Sequence, residues 1–141
     1  MDISHIRHTL AHLLAQAVKQ HYKDADLTLG PAIDNGFYYD IDFGAEKISD
    51  TDLEKIEKTM RKNLSSWTEF THHEVSKDEA ITAFSNTLGA NPYKVELINE
   101  ITERGEIITL YTCGGFTDLC RGGHAEHPSE DLKNIGWKLD R

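Results

Sequence analysis

Cysteine, basic residues and long apolar runs are all scarce in this chain of 141 residues, and each scarcity excludes something. The two cysteines, Cys113 and Cys120, are close in sequence and too few for a disulfide framework. Cys113 is expected to stay a free thiol with no assigned role. No stretch approaches the ~18–20 consecutive apolar residues that a membrane span needs, and no basic-then-apolar leader opens the chain. A cytoplasmic protein with no membrane partner is therefore expected. Lys and Arg total 15 against 24 Asp and Glu, a formal charge of −9. Proteins that coat nucleic acids are normally basic, because phosphate neutralisation supplies most nonspecific affinity. This chain does not suit gripping a duplex alone, although it could act on a nucleic-acid end that other parts of a larger protein hold. Repeats and low-complexity stretches are absent as well.

What is present is an ordinary globular composition, 38% hydrophobic and 28% charged, long enough for one domain with a real core. Apolar residues Ile6, Leu10, Leu13, Leu14 and Ala17 recur at helical spacing, predicting a first helix from about Ser4 to His21. His8 and His12 fall on roughly the opposite face, which turns them toward water or a cleft rather than the core. Gly30-Pro31 marks a turn. Phe37, Tyr39, Ile41 and Phe43 then alternate with polar neighbours, as in one half-buried strand from Gly36 to Phe43. Ser49, with Asp52 three residues on, caps a second helix whose stripe is Leu53, Ile56, Met60 and Leu64. Trp67 to Val75 reads as a strand, and Ser76-Lys-Asp-Glu79 as a capping box opening a helix through Phe84. Asn91-Pro92 starts a helix carrying Leu97, Ile98 and Ile101. Ile107–Thr112 and Phe116–Cys120 form a hairpin around Gly114-Gly115. Strands and helices mix without strict βαβ alternation, so the expected class is α+β: a two-layer sandwich, mainly antiparallel sheet with helices packed on it.

Two short spacings stand out from this frame: His8-Thr-Leu-Ala-His12 and Cys120-Arg-Gly-Gly-His124. Residues i and i+4 on a helix are surface neighbours, about 5–6 Å apart at Cβ, so both imidazoles can reach one point. Gly122 and Gly123 let the second motif fold back tightly. If the two motifs meet, a set of one Cys and three His suits tetrahedral zinc, or three ligands plus an acidified water. Without metal, the same set offers bases near neutral pH and a thiol.

Several longer segments carry a resemblance. His8-Thr-Leu-Ala-His12 with Leu14-Ala-Gln-Ala-Val-Lys19 resembles the opening helix of the editing domain of bacterial threonyl-tRNA synthetases. Gly30-Pro-Ala-Ile-Asp-Asn-Gly-Phe-Tyr-Tyr-Asp-Ile-Asp42, Tyr93-Lys-Val-Glu-Leu-Ile98, and Tyr111 followed by Asp118-Leu-Cys-Arg-Gly-Gly-His124 are similar to the segments that follow in that family. The paired His/Cys motifs are shared with alanyl-tRNA editing proteins, but Gly36-Phe-Tyr-Tyr-Asp-Ile-Asp42 points to the threonyl branch. The resemblance implies a cleft between the first helix and the sheet, and hydrolysis of the ester in seryl-tRNA(Thr). Such a second site is needed because serine lacks only a methyl of threonine, and a methyl is worth about 1–3 kcal/mol in a binding pocket.

Carried over by position, the resemblance implies a hydrolytic site lined by His8, His12, Lys94, Cys120 and His124. It implies substrate-binding roles for Tyr111, Asp118 and Arg121. Editing itself would need no cofactor; zinc at His8, His12, Cys120 and His124 is the alternative found in the alanyl-type relatives. The implied partners are the serine-bearing 3′ end of tRNA(Thr) and the remaining domains of a parent ligase. Residues 1–136 would be the editing domain, and 137–141 the start of a linker to an aminoacylation domain, which alone would use ATP. Two other readings are a free-standing zinc deacylase of the alanyl type and a non-catalytic module that binds the tRNA end. One departure concerns the loop: the family usually has Pro where this chain has Gly123. Pro fixes φ and Gly frees it, which loosens the segment carrying His124. His127 is read as a surface residue.

Overall fold

A computed structural model describes residues 3–23, 25–27, 32–33, 36–39, 41–43, 48–87, 91–120 and 122–139. Gly30-Pro31 and Arg121 lie outside these, so the expectations placed on them have no structural counterpart. In chain order the elements are α1 (Ile3–His21), β1 (Asp26–Leu27), β2 (Ala32–Ile33), β3 (Gly36–Phe37), β4 (Ile41–Asp42), α2 (Asp50–Leu64), β5 (Thr71–Val75), α3 (Lys77–Thr82), α4 (Pro92–Glu103), β6 (Ile108–Cys113), β7 (Phe116–Leu119) and α5 (Pro128–Asp131). The class is α+β, as expected, with β1–β4, β2–β3 and β5–β6–β7 all paired antiparallel. No helix among the described residues is long and apolar enough to cross a membrane.

Local sequence explains most of the boundaries. Ser49 and Asp52 form a reciprocal capping box at α2, as do Ser76 and Glu79 at α3. The Asn91 side chain accepts from the Tyr93 and Lys94 amides, and Pro92 fills the first helical position of α4. The helix expected through Phe84 instead ends as α at Thr82 and runs on as one wider π turn, Ala83–Thr87. That turn carries the buried Phe84 into a core with Ala80, Ile98, Ile108 and Leu110. The strand expected from Trp67 begins only at Thr71. Trp67 is fully buried and gives its indole N–H to Gln16 Oε1 at 2.8 Å, which holds it off the sheet.

The largest departure is the single strand expected over Gly36–Phe43. It is two short pieces, β3 and β4, with different partners. Between them Tyr39 turns inward, and its hydroxyl donates to Asp118 Oδ2 at 2.5 Å. A buried phenol needs a partner for its O–H, and meeting that need breaks the ladder.

Helix α1 organises the rest. Ile6, Leu10, Leu13, Ala17 and Val18 pack into the main core with Ile56, Met60, Trp67 and Leu132. On another side Ala11 and Ala15 meet Leu27 and Tyr39. Small residues there let the short strands approach closely. With two faces covered, α1 is not the one-sided surface helix that its apolar stripe suggested. Trp137 and Leu139, expected to begin a linker, pack against the main core. The Arg61 guanidinium lies 4.1 Å over the Trp137 ring.

Candidate active site

Four of the expected residues meet at one point. His8 and His12, one turn apart on α1, place their Nε2 atoms 3.1 Å from each other. Cys120 follows β7, and its Sγ lies 3.4 Å from His8 Nε2 and 3.2 Å from His124 Nε2. All four donor atoms lie within 4.8 Å of one another. His12, expected to face water or a cleft, is 4% exposed and turned into the enclosed cluster, because α1 is covered on both sides. His8 is half-buried and stands nearer the opening.

The loop from Cys120 to His124 depends on its glycines. Gly122 has φ +100° and Gly123 φ +83°, in the left-handed region that residues with a Cβ avoid. The Gly122 N–H points to Cys120 Sγ at 3.3 Å, and the Gly123 carbonyl accepts from His8 Nδ1 at 3.2 Å. That bond puts the His8 proton on Nδ1 and leaves Nε2 facing the cluster. A Cβ at Gly122 would stand 2.6 Å from the Tyr111 hydroxyl, so the bare backbone is what lets Tyr111 close over the loop. Proline cannot reach a φ of +83°, so a chain with proline at this position would need a different backbone there.

Behind the cluster lies a buried charge network. Asp118 is 3% exposed and its oxygens are fully engaged. Oδ1 meets Lys94 Nζ at 2.8 Å and accepts from the Leu119 amide. Oδ2 accepts from Tyr39 and lies 3.1 Å from His12 Nδ1, an ion pair off the angle of a good hydrogen bond. Lys94, 2% exposed, also donates to the Tyr39 hydroxyl at 2.8 Å. Lys94 is therefore not in the His/Cys cluster but is joined to it through Asp118 and His12. Tyr111 is half-buried beside the cluster, its ring 4.9 Å from that of His124.

The electrostatics follow from this packing. Burial opposes charge on Asp118, but Lys94 and His12 outweigh it and hold the carboxyl well below its usual range. Burial likewise opposes a charged His12, yet the Asp118 carboxylate beside it and the nearby Cys120 sulfur raise its pKa to about 9. Burial disfavours the Cys120 thiolate, but the His12, His124 and His8 imidazoles around the sulfur reverse this, lowering the pKa to about 4. Burial lowers the pKa of His124. Burial and the Asp118 charge push the Tyr39 phenol well above its ordinary value.

Two contributors were missed in the sequence. Tyr39 was read only as a strand residue; its signal was an inward tyrosine with no partner assigned to its hydroxyl. Thr9, inside the first motif, donates to the His5 carbonyl at 2.7 Å and accepts from the Ala125 amide at 2.9 Å. It ties α1 to the residue after His124, and nothing in the spacing announced it.

The donor set also fits a metal. A tetrahedral zinc ion, with Zn–N of ~2.0–2.1 Å and Zn–S of ~2.3 Å, separates its ligand atoms by roughly 3.3–3.6 Å. Three of the six edges, 3.1–3.4 Å, are close to that, while the set as a whole spans up to 4.8 Å, so a small closing movement would complete the tetrahedron. The carboxylate at His12 Nδ1 and the carbonyl at His8 Nδ1 are the outer partners that such ligands usually have.

No protein-family model matches the chain. Its homologues are threonine–tRNA ligases. It is 49% identical over 119 residues, 84% of the chain, to the threonine–tRNA ligase of Anoxybacillus flavithermus. Identity is 50% over 119 residues to that of Burkholderia lata, and 45% over 143 residues, 96% of the chain, to that of Desulforapulum autotrophicum. The chain spans about a fifth of the length of these relatives, 18–21%.

Proposed function

We propose that this chain is the editing part of a cytoplasmic threonine–tRNA ligase and hydrolyses the ester of mischarged seryl-tRNA(Thr). The observation that carries this reading is the convergence of His8, His12, Cys120 and His124 beside a buried Asp118–Lys94 pair. It occurs in a chain whose homologues are threonine–tRNA ligases. A fifth of a ligase's length leaves the aminoacylation chemistry to the rest of the parent protein.

In the metal-free form, each group has a task set by its surroundings. His8 Nε2, the ring nitrogen without hydrogen in the tautomer that donates Nδ1–H to the Gly123 carbonyl, takes the proton of the attacking water. The water oxygen bonds to the ester carbonyl carbon, and the resulting oxyanion faces the positive charge on His12. As the ester C–O bond breaks, His8 returns the proton to the departing ribose oxygen. Asp118, Lys94 and Tyr39 keep His12 charged and oriented without touching substrate. Should zinc be bound, His8, His12, Cys120 and His124 would hold it, and it would supply Lewis acidity to the carbonyl or to a water.

The assay is deacylation of seryl-tRNA(Thr), with seryl-tRNA(Ala) as comparison, alongside metal analysis of the purified chain. His8→Ala and Cys120→Ala are expected to slow hydrolysis, the former by about 10²–10⁴-fold. Wild-type protein that leaves seryl-tRNA(Thr) as intact as both variants do would sink the hydrolytic reading. Preferential hydrolysis of seryl-tRNA(Ala) by a zinc-loaded chain would replace it with the alanyl-type reading.

A further inference from the structure

The sheet face that carries the site continues outward as a row of rings. Strand register sets His72 of β5 beside Tyr111 of β6, and Tyr111 beside Asp118 of β7. Directly paired residues share a face, so the three form one row across the sheet. Exposure rises along it: Asp118 is buried, Tyr111 half-buried and His72 exposed. The His72 imidazole lies nearly parallel to the Tyr111 ring, centroids 4.9 Å apart and planes at 20°. Tyr111 is a further 4.9 Å from His124, which is stacked between Phe70 at 4.1 Å and His8 at 4.4 Å. Two ring-to-ring steps thus connect the His/Cys cluster to an imidazole that is open to solvent. Among the described residues β5 is an edge strand, so no neighbouring strand covers His72 from outside.

An exposed side chain held flat against a phenol has little rotamer freedom left to lose when something binds its outer face. What such a face suits is another π-system. Glu74, the next residue of β5 on this face, is exposed and acidic, which disfavours a phosphate there and favours an uncharged ring.

We propose that His72, backed by Tyr111, is a stacking platform for a nucleobase of the RNA 3′ end whose ester the cluster receives. The identity of the ligand rests on the functional reading above. The base is either the terminal one or the one before it; both offer the same chemistry, and stacking tolerates either. A ring at position 72 should therefore be sufficient, whatever its hydrogen-bonding groups.

The test uses the full 141-residue chain and RNA oligonucleotides ending in CCA. One probe carries a fluorescent base analogue at the terminal position and another at the position before it. Binding should quench whichever probe stacks. His72→Ala should abolish that quench and weaken binding roughly tenfold, while His72→Phe restores both to within about twofold. In deacylation, His72→Ala should raise KM by the same factor and leave kcat unchanged. Wild-type-like binding and quenching by His72→Ala, or no quenching of either probe by the wild type, overturns the platform. His72-dependent quenching without any hydrolysis would leave the platform standing and remove the hydrolytic reading instead.

Discussion

The inner half of the site, Tyr39, Asp118, Lys94 and His12, and the outer half, His8, Cys120 and His124, are in contact yet are held in different ways. Inside, the Asp118 oxygens are fully engaged and Lys94 is committed to Asp118 and Tyr39 at 2.8 Å each. Outside, partners are fewer and softer: the cluster is tied by imidazole–sulfur contacts of 3.2–3.4 Å, and the buried Nδ1 of His124 has no hydrogen-bond partner among the described residues. A buried charge is costly unless paired, so loss of any member of the inner half weighs heavily on stability. The outer half can be left incomplete because it is partly open to water. The difference separates the groups that fix the site's charge from the groups free to react.

The largest effect expected from breaking this division is on the inner half. Lys94→Met leaves the Asp118 carboxylate buried with its strongest partner removed, and loss of one member of a buried pair costs about 3–5 kcal/mol. Cys120→Ala removes only a half-buried group from the outer half and should cost well under half of that. Urea unfolding midpoints measure both. Equal destabilisation by the two variants would show that the halves do not differ in this way.

How far the site was legible depends on which half is considered. The outer half could be read from spacing, since a helical i,i+4 pair and a glycine-bent Cys/His loop each constrain where side chains point. Of the inner half, Lys94 and Asp118 came only through family resemblance. Lys94 sits in the first turn of α4, where a lysine is ordinarily solvated, and Asp118 lies in a strand next to a turn. Their pairing is a long-range consequence of α4 docking near β7, which no local pattern encodes. The cap at Ser49, the capping box at Ser76 and the Asn91-Pro92 start were read correctly because capping is a local hydrogen-bond problem. The broken strand at Tyr39 was not, because a tertiary bond to Asp118 overrode a valid alternation.

Cysteine chemistry sharpens the comparison at smaller scale. Cys120, with its pKa lowered to about 4 by three imidazoles, is a thiolate throughout the neutral range in the metal-free form. Its alkylation rate by iodoacetamide should be flat from pH 6 to 8, whereas an ordinary thiol of pKa ≈ 8.5 speeds up roughly 75-fold over that interval. Cys113 belongs to the apolar core, and burial raises its pKa to about 11, so it should not react until the chain unfolds. Mass spectrometry of labelled peptides distinguishes the two. A Cys120 rate that climbs about tenfold per pH unit would mean that the imidazoles do not hold a thiolate. Protection of Cys120 that a chelator removes would mean that an ion occupies the cluster.

The smallest expected effect separates the two glycines of the outer loop. At Gly123 an added Cβ would meet only His5 and His8 at 3.7–3.8 Å, ordinary contact distances, so Gly123→Ala costs only the left-handed backbone. That is about 1–2 kcal/mol. At Gly122 the same backbone cost is joined by a 2.6 Å approach to the Tyr111 hydroxyl, which must swing away from the cluster. Gly122→Ala should therefore lose both stability and deacylation rate, while Gly123→Ala loses a little stability and keeps most of its rate. Gly123→Pro differs from both, because a φ near −65° cannot coexist with the observed +83°. The loop would have to turn over, releasing the Gly123 carbonyl from His8 Nδ1 and freeing the tautomer that the carbonyl holds. Hydrolysis by Gly123→Pro at the wild-type rate, at every pH from 6 to 9, would show that this bond to His8 does not set the base.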